Sequence, residues 1–245
     1  MRLSCKIDLR PQENTVKTKS AAVKPARTKD FDIRAAVVRQ LLAEGVPRSD
    51  IRHEITLDTS SSGGRADLVV ILRDKLYGVE LKSGSDKLDR LKEQHEAQEL
   101  AFDGSFVVSD VRHREEIENG PCRYDYISHD PATGRFYRWS RGDQGSITEM
   151  MLHYSKSYHT SVNFMARTLW CEETVKIVAK LCGSGCKTRC GSLEIIKERV
   201  ALRDLRPLVI AALRSRVLSR WEEAFWKRLE AMPRIAGADR GHPTP

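Results

Sequence analysis

The sequence predicts an α/β fold, a central sheet with helices on both faces, followed by a region that is all helix. Three observations predict it. A segment of helical periodicity over 31–42 precedes three segments of strand character; a helix start and a further apolar strand at 106–109 come next. From about 163 the apolar residues recur at helical spacing as far as Leu229. With 245 residues and 40% hydrophobic content, one sizeable core plus a smaller helical appendage is expected.

Taken in order, residues 1–30 are rich in Lys, Thr and Ser, contain Pro11 and Pro25, and lack apolar periodicity, which predicts a disordered basic arm. Phe31 to Leu42 has helical spacing and runs out near Gly45, with Pro47 just beyond, as helices do. Ile51 to Leu57 alternates as a strand whose polar face is Arg52, Glu54 and Thr56. Ser83-Gly84-Ser85 offers a serine cap for a helix starting at Asp86, on which Gln94 shares a face with Leu91 and Gln98. Arg123 to Ile127 and Arg135 to Trp139, around Asp130-Pro131-Ala132-Thr133-Gly134, predict a hairpin. Its aromatics either touch nucleic acid or sit half-buried in the sheet, and strand preference for aromatics favours the second. The expected organisation is an arm over 1–30, an α/β domain over 31–150, a helical region over 160–232 and a flexible tail over 233–245.

The chemistry concentrates in the second and third strands. Gly64 to Ile71 and Leu76 to Lys82 are apolar runs on either side of a short polar turn, the signature of a buried hairpin. A simple even register sets Asp67 opposite Glu80, and the two-residue period of a strand turns Lys82 the same way as Glu80. Facing carboxylates destabilise a sheet unless something positive lies between them. A hard divalent cation answers this: Mg²⁺ takes one or two carboxylates, keeps several waters and binds substrate phosphate. Glu54 is the candidate third acid, with Asp32 and Glu44 as competitors. The alternative for Asp67, Glu80 and Lys82 is an exposed ion cluster, which the flanking Val, Ile and Leu argue against.

An Asp on one strand and Glu-x-Lys on the next, here Ala66-Asp67 and Glu80-Leu81-Lys82, resembles the PD-(D/E)XK (restriction-endonuclease-like) nuclease superfamily, with Ala66 where the motif names a proline. Within it, the chain also resembles a bacterial and phage family known by sce-type names. This likeness is carried by Asp32-Ile33-Arg34, Glu54, Arg65-Ala66-Asp67, Gly78 to Lys82, Arg90-Leu91, Gln94, Phe102-Asp103, Val107-Val108 and Arg112-His113, with a weaker echo at Leu169-Trp170 and Arg203-Asp204-Leu205. The resemblance implies an αβββαβ core with a mixed central sheet flanked by helices. It also implies Mg²⁺- or Mn²⁺-dependent hydrolysis of phosphodiesters, DNA being the expected substrate and RNA remaining open. Asp67, Glu80 and Glu54 would hold metal, Lys82 would steady the attacking water or developing charge, and Gln94 would position water or backbone. Related sequences often carry a tyrosine four residues after the glutamine; this chain has Gln98.

The net charge of +8 is unevenly spread. Residues 1–30 hold eight Lys and Arg against three acids, and residues 199–245 hold ten against five, leaving a slightly acidic middle. Basic ends around an acidic centre suit phosphate contact in one place and a metal in another, or only solubilise the chain. Arg203, Arg206, Arg214, Arg216 and Arg220 either line a DNA-facing surface or solvate the outer helices. Cys171, Cys182, Cys186 and Cys190 form no Cys-x-x-Cys pair, so free thiols are expected over a zinc or iron–sulfur site. Gly183 to Arg189 lacks phosphate-loop spacing. No apolar run reaches membrane-spanning length and no signal peptide is evident, which predicts a cytoplasmic protein without membrane contact. A homodimer or a protein partner stays open. The rival to a nuclease is a non-catalytic nucleic-acid-binding or phage and defence accessory protein on the same fold.

Overall fold

The computed structural model describes residues 28–57, 64–120, 124–138, 145–154, 160–183 and 186–233. The basic arm through residue 27, Arg123, Trp139, Ser184-Gly185 and the tail from 234 lie outside the described residues.

Helix α1 (Asp30–Ala43) leads into β1 (Ile51–Leu57), β2 (Gly64–Leu72) and β3 (Lys75–Lys82), then α2 (Leu91–Ala101) and β4 (Gly104–Asp110). A short α3 (Arg114–Glu118), β5 (Tyr126–Asp130) and β6 (Arg135–Arg138) complete the sheet. The six strands lie in sequence order. β1, β2 and β3 are antiparallel, β3, β4 and β5 run parallel, and β6 returns antiparallel, so the sheet is mixed. The hairpin over β5 and β6 forms as predicted, and its Tyr126 and Phe136 are core residues. Helices α4 (Ile147–Tyr154), α5 (Val162–Arg167), α6 (Cys171–Cys182), α7 (Arg189–Arg199), α8 (Leu202–Ser215) and α9 (Arg220–Ala231) follow.

The sheet separates two apolar cores. On one side Ile33, Val37 and Leu41 of α1 pack with Leu68, Val79 and Phe106 of the strands, Met151 of α4, and Phe225, Trp226 and Leu229 of α9. On the other, Ala97 and Phe102 at α2 pack with Val69 and Ile71, Met165 of α5, Val178 of α6, Ile196 of α7 and Leu213 of α8. The C-terminal helices therefore cover both faces of the sheet. No helix among the described residues is long and apolar enough to cross a membrane.

Two expectations change at element scale. The helix after β3 begins at Leu91; residues 83–90 form turns in which the Asp86 carboxylate accepts from the Ser83 backbone N–H and hydroxyl, both 2.7 Å. The acids that look like a first turn thus close a loop ahead of it. In β1 the polar face does not form. Ile51 joins the first core while Ile55 and Leu57 join the second, because Glu54 between them adopts φ +56°, a left-handed conformation that turns the strand over. Arg52 is consequently buried, facing Glu222 at 3.6 Å.

Candidate functional site

The β2–β3 turn is Arg73-Asp74, both with positive φ (46° and 59°), the geometry that keeps two strands in tight register. Pairs run from Leu72↔Lys75 to Leu68↔Val79, so the ladder ends one residue short of Asp67 and Glu80, and the Leu81 N–H donates to the Asp67 side chain there. On the other edge of β2, His53↔Leu68 and Ile55↔Ala66 set Glu54 opposite Asp67. The three carboxylates nominated from the sequence thus lie on three adjacent strands. Glu80 and Lys82 sit near the carboxyl end of β3, in the parallel part of the sheet, where open α/β sheets place ligands.

Counter-charges for these acids come from both layers. Arg34 of α1, only 2% exposed, donates from Nη1 to the Asp67 carbonyl oxygen at 2.6 Å and from Nη2 to Asp67 Oδ1 at 3.3 Å. The same guanidinium meets Glu54 Oε1 at 2.8 Å and Asp30 Oδ1 at 3.1 Å. The Leu81 N–H donates to Asp67 Oδ2 at 2.9 Å. From the other layer α2 brings two glutamines. Lys82 Nζ donates to Glu80 Oε1 and to Gln94 Oε1, each at 2.8 Å, and Gln98 Nε2 donates to Glu80 Oε2 at 3.0 Å. Gln98 is fixed in turn by the Ser105 hydroxyl at 3.2 Å. Gly78 permits this approach, since a Cβ there would lie 2.6 Å from Gln98 Oε1 and 2.5 Å from the Phe102 ring.

Burial sets the electrostatics. Glu80 is 1% exposed; burial and then the neighbouring Asp67 push its pKa up to about 7, with Lys82 pulling the other way. Burial also raises Asp67, against Arg34 and the Leu81 N–H. Glu54 is raised by burial while Arg34 and Arg65 oppose the shift. For Arg34, burial works against the charge, but Asp67, Asp30 and Glu54 outweigh it and hold the guanidinium above its ordinary value.

Of the predicted residues, Glu80, Lys82 and Gln94 are bonded to one another, while Asp67 and Glu54 share Arg34 and Asp67 meets the β3 backbone through the Leu81 N–H. Both Glu54 oxygens carry arginines, Arg34 on Oε1 and Arg65 on Oε2 at 2.5 Å, so its place is that of a bracket between two cations. Its competitors have structural roles. Asp32 accepts from the Lys29 N–H at the start of α1, and Glu44 accepts from the N–H groups of Ile147 and Thr148 at the start of α4. Arg34 and Gln98 are partners of the acids that residue type did not flag. The signal for Arg34 was Asp30 one helical turn earlier; for Gln98 it was the face shared with Gln94.

Three of the five arginines considered for DNA contact hold carboxylates of the same chain. Arg206 holds Asp103 through Nε (3.0 Å) and Nη2 (2.5 Å), Arg214 holds Asp50 at 2.7 and 2.8 Å, and Arg216 holds Glu173 at 2.7 and 2.5 Å. They fasten α8 and the turn after it to the body.

Oxygen donors from Asp67 and Glu80 suit a hard cation, and each bonded carboxylate oxygen keeps a second lone pair. Asp30, Glu54, Asp67 and Glu80 face Arg34, Arg65 and Lys82, so with Glu80 ionised the acids outnumber the cations by one and a bound cation would balance them. Among the described residues no three His, Cys, Asp or Glu side chains group to hold a metal, so a cation here would have two carboxylates and complete its shell with water. Cys171, Cys182, Cys186 and Cys190 are free thiols.

Residues 24–121 match the family model described as Bacteriophage P4 protein cII, a span that contains α1 to β4 and all three acids but less than half of the chain. No curated protein and no solved structure matches this sequence.

Proposed function

We propose that this protein is a metal-dependent nuclease of the PD-(D/E)XK type that hydrolyses phosphodiester bonds of DNA. The observation that carries the reading is the placement of Asp67 and Glu80 on adjacent strands, with the Leu81 N–H on Asp67 Oδ2 and Lys82 bonded to a buried Glu80. The element order α1-β1-β2-β3-α2-β4 agrees with the αβββαβ core that the resemblance implies. Asp67 and Glu80 are the residues that would hold Mg²⁺ or Mn²⁺, which when bound polarises a phosphoryl oxygen and makes hydroxide available at neutral pH.

The rest falls to the chain's own groups. Lys82 Nζ is fixed between Glu80 and Gln94, so its charge is aimed before substrate arrives and meets a water or a developing oxyanion without reorganisation. Gln94 orients that ammonium, and Gln98 occupies the second Glu80 oxygen so that the carboxylate cannot rotate away. Arg34 does the same for Asp67 from the opposite layer.

The test is cleavage of plasmid, linear duplex, single-stranded and branched DNA with Mg²⁺ or Mn²⁺, comparing wild type with Glu80→Ala. Cleavage lost in the variant is the expected result. A folded wild type that cuts none of them overturns the proposal.

A second reading has its own observation, the match to the phage P4 cII family model. On it the chain is a nucleic-acid-binding or phage accessory protein that does no chemistry. Its signature is tight, metal-independent binding in which Asp67→Ala, Glu80→Ala and Lys82→Ala are silent.

A further inference from the structure

The acids pose an electrostatic problem for any polyanionic substrate. Arg34 and Lys82, the cations that neutralise them, are 2% and 8% exposed and fully engaged inside. The cation paired with these acids that solvent reaches is Arg65, 60% exposed. Its only partner among the described residues is Glu54, met by Nε at 2.5 Å. A guanidinium is a rigid planar fork of five donors, so engaging Nε on a side chain 60% exposed leaves the Nη N–H groups as a bidentate site of the shape that phosphate accepts.

Stability alone does not account for this pair. An ion pair with so exposed an arginine adds little. Glu54 already has a buried counter-charge in Arg34 at 2.8 Å, yet it adopts φ +56°, a conformation that L side chains avoid unless the surroundings hold them there. That conformation sets one carboxylate between a buried arginine and an exposed one. Arg65 precedes Asp67 by two residues on β2, about 7 Å along a strand, so one nucleic-acid strand can lie across both.

We infer that Arg65 grips a backbone phosphate of the nucleic-acid substrate next to the one at Asp67 and Glu80, and that Glu54 is the positioning residue that aims it. This rests on the phosphodiester reading of the acid site and adds the contact that seats the strand there.

The experiment measures binding of a short fluorescein-labelled DNA, as duplex and as single strand, over a salt series in the Glu80→Gln background. Cleavage is followed separately in chains that retain Glu80. Arg65→Gln weakens binding roughly ten-fold at about 0.1 M salt and lowers the slope of log affinity against log salt by about one, the loss of one phosphate contact. Arg65→Lys keeps the slope. In the cleavage assay Arg65→Gln raises KM with kcat nearly unchanged, and Glu54→Gln raises KM with the slope unaltered. Wild-type affinity and slope in Arg65→Gln would overturn the inference and leave the nuclease reading standing; an unmoved KM in Glu54→Gln would overturn the aiming role. A changed slope in a protein that never cleaves leaves the phosphate grip standing and removes the hydrolysis. Failure of the Glu80→Gln protein to bind either DNA overturns the grip outright.

Discussion

Arg34 is the residue on which the acids of β1 and β2 depend. One buried guanidinium serves Asp30, Glu54 and Asp67, and removing one side of a buried ion pair strands the other as uncompensated charge. Arg34→Gln should therefore cost about 3–5 kcal/mol of folding free energy, read from urea unfolding. Glu80 gives a pH signature of opposite kind. Its folded pKa of about 7 lies above the 4.5 of an ordinary glutamate, so the folded protein holds this proton more tightly than the unfolded chain does. Its contribution is fully present below about pH 4.5 and is lost as pH rises to about 7. Glu80→Gln, which cannot ionise, should gain thermal stability relative to wild type over that window, and a midpoint difference that stays flat would refute the assignment. Asp67, Glu80, Lys82 and Gln94 were legible in the sequence because hairpin parity and one helical turn fix them locally. Arg34 and Gln98 were not, since their roles exist only once α1 and α2 have docked on opposite faces.

At the scale of elements, Gly78 sets how closely α2 approaches β3. Gly78→Ala would drive a methyl group into Phe102 and Gln98, so a loss of about 1–3 kcal/mol is expected, together with a fall in the raised Glu80 pKa as Gln98 and α2 move off and water enters. Urea unfolding reads the first and carboxyl titration by NMR the second. The Arg73-Asp74 turn carries two left-handed residues without glycine, and Asp74→Gly should stabilise the hairpin by about 0.5–1 kcal/mol in chemical denaturation. Strand pairing was readable because the apolar runs flank an even turn. The reversal of β1 at Glu54 was not: alternation predicts a polar face, and the strand turns over where Glu54, at φ +56°, meets Arg34 and Arg65.

For the molecule as a whole, the C-terminal helices are part of the fold that carries the site. Val178, Ile196, Leu205 and Leu213 close the second core, and α9 closes the first with Phe225, Trp226 and Leu229. A chain ending after α4 should fail to fold, giving no cooperative thermal transition; a sharp one would show the sheet to be self-sufficient. The sequence located these helices but left open where they pack, because arginines such as Arg206 and Arg214 look alike whether they face solvent or hold Asp103 and Asp50. The placement of the acids' counter-charges also couples the two layers. Arg34 arrives with one layer, and Gln94 and Gln98 with the other. A chain with either layer undocked carries its acids without their partners, so the charge balance of these strands depends on both layers being in place at once.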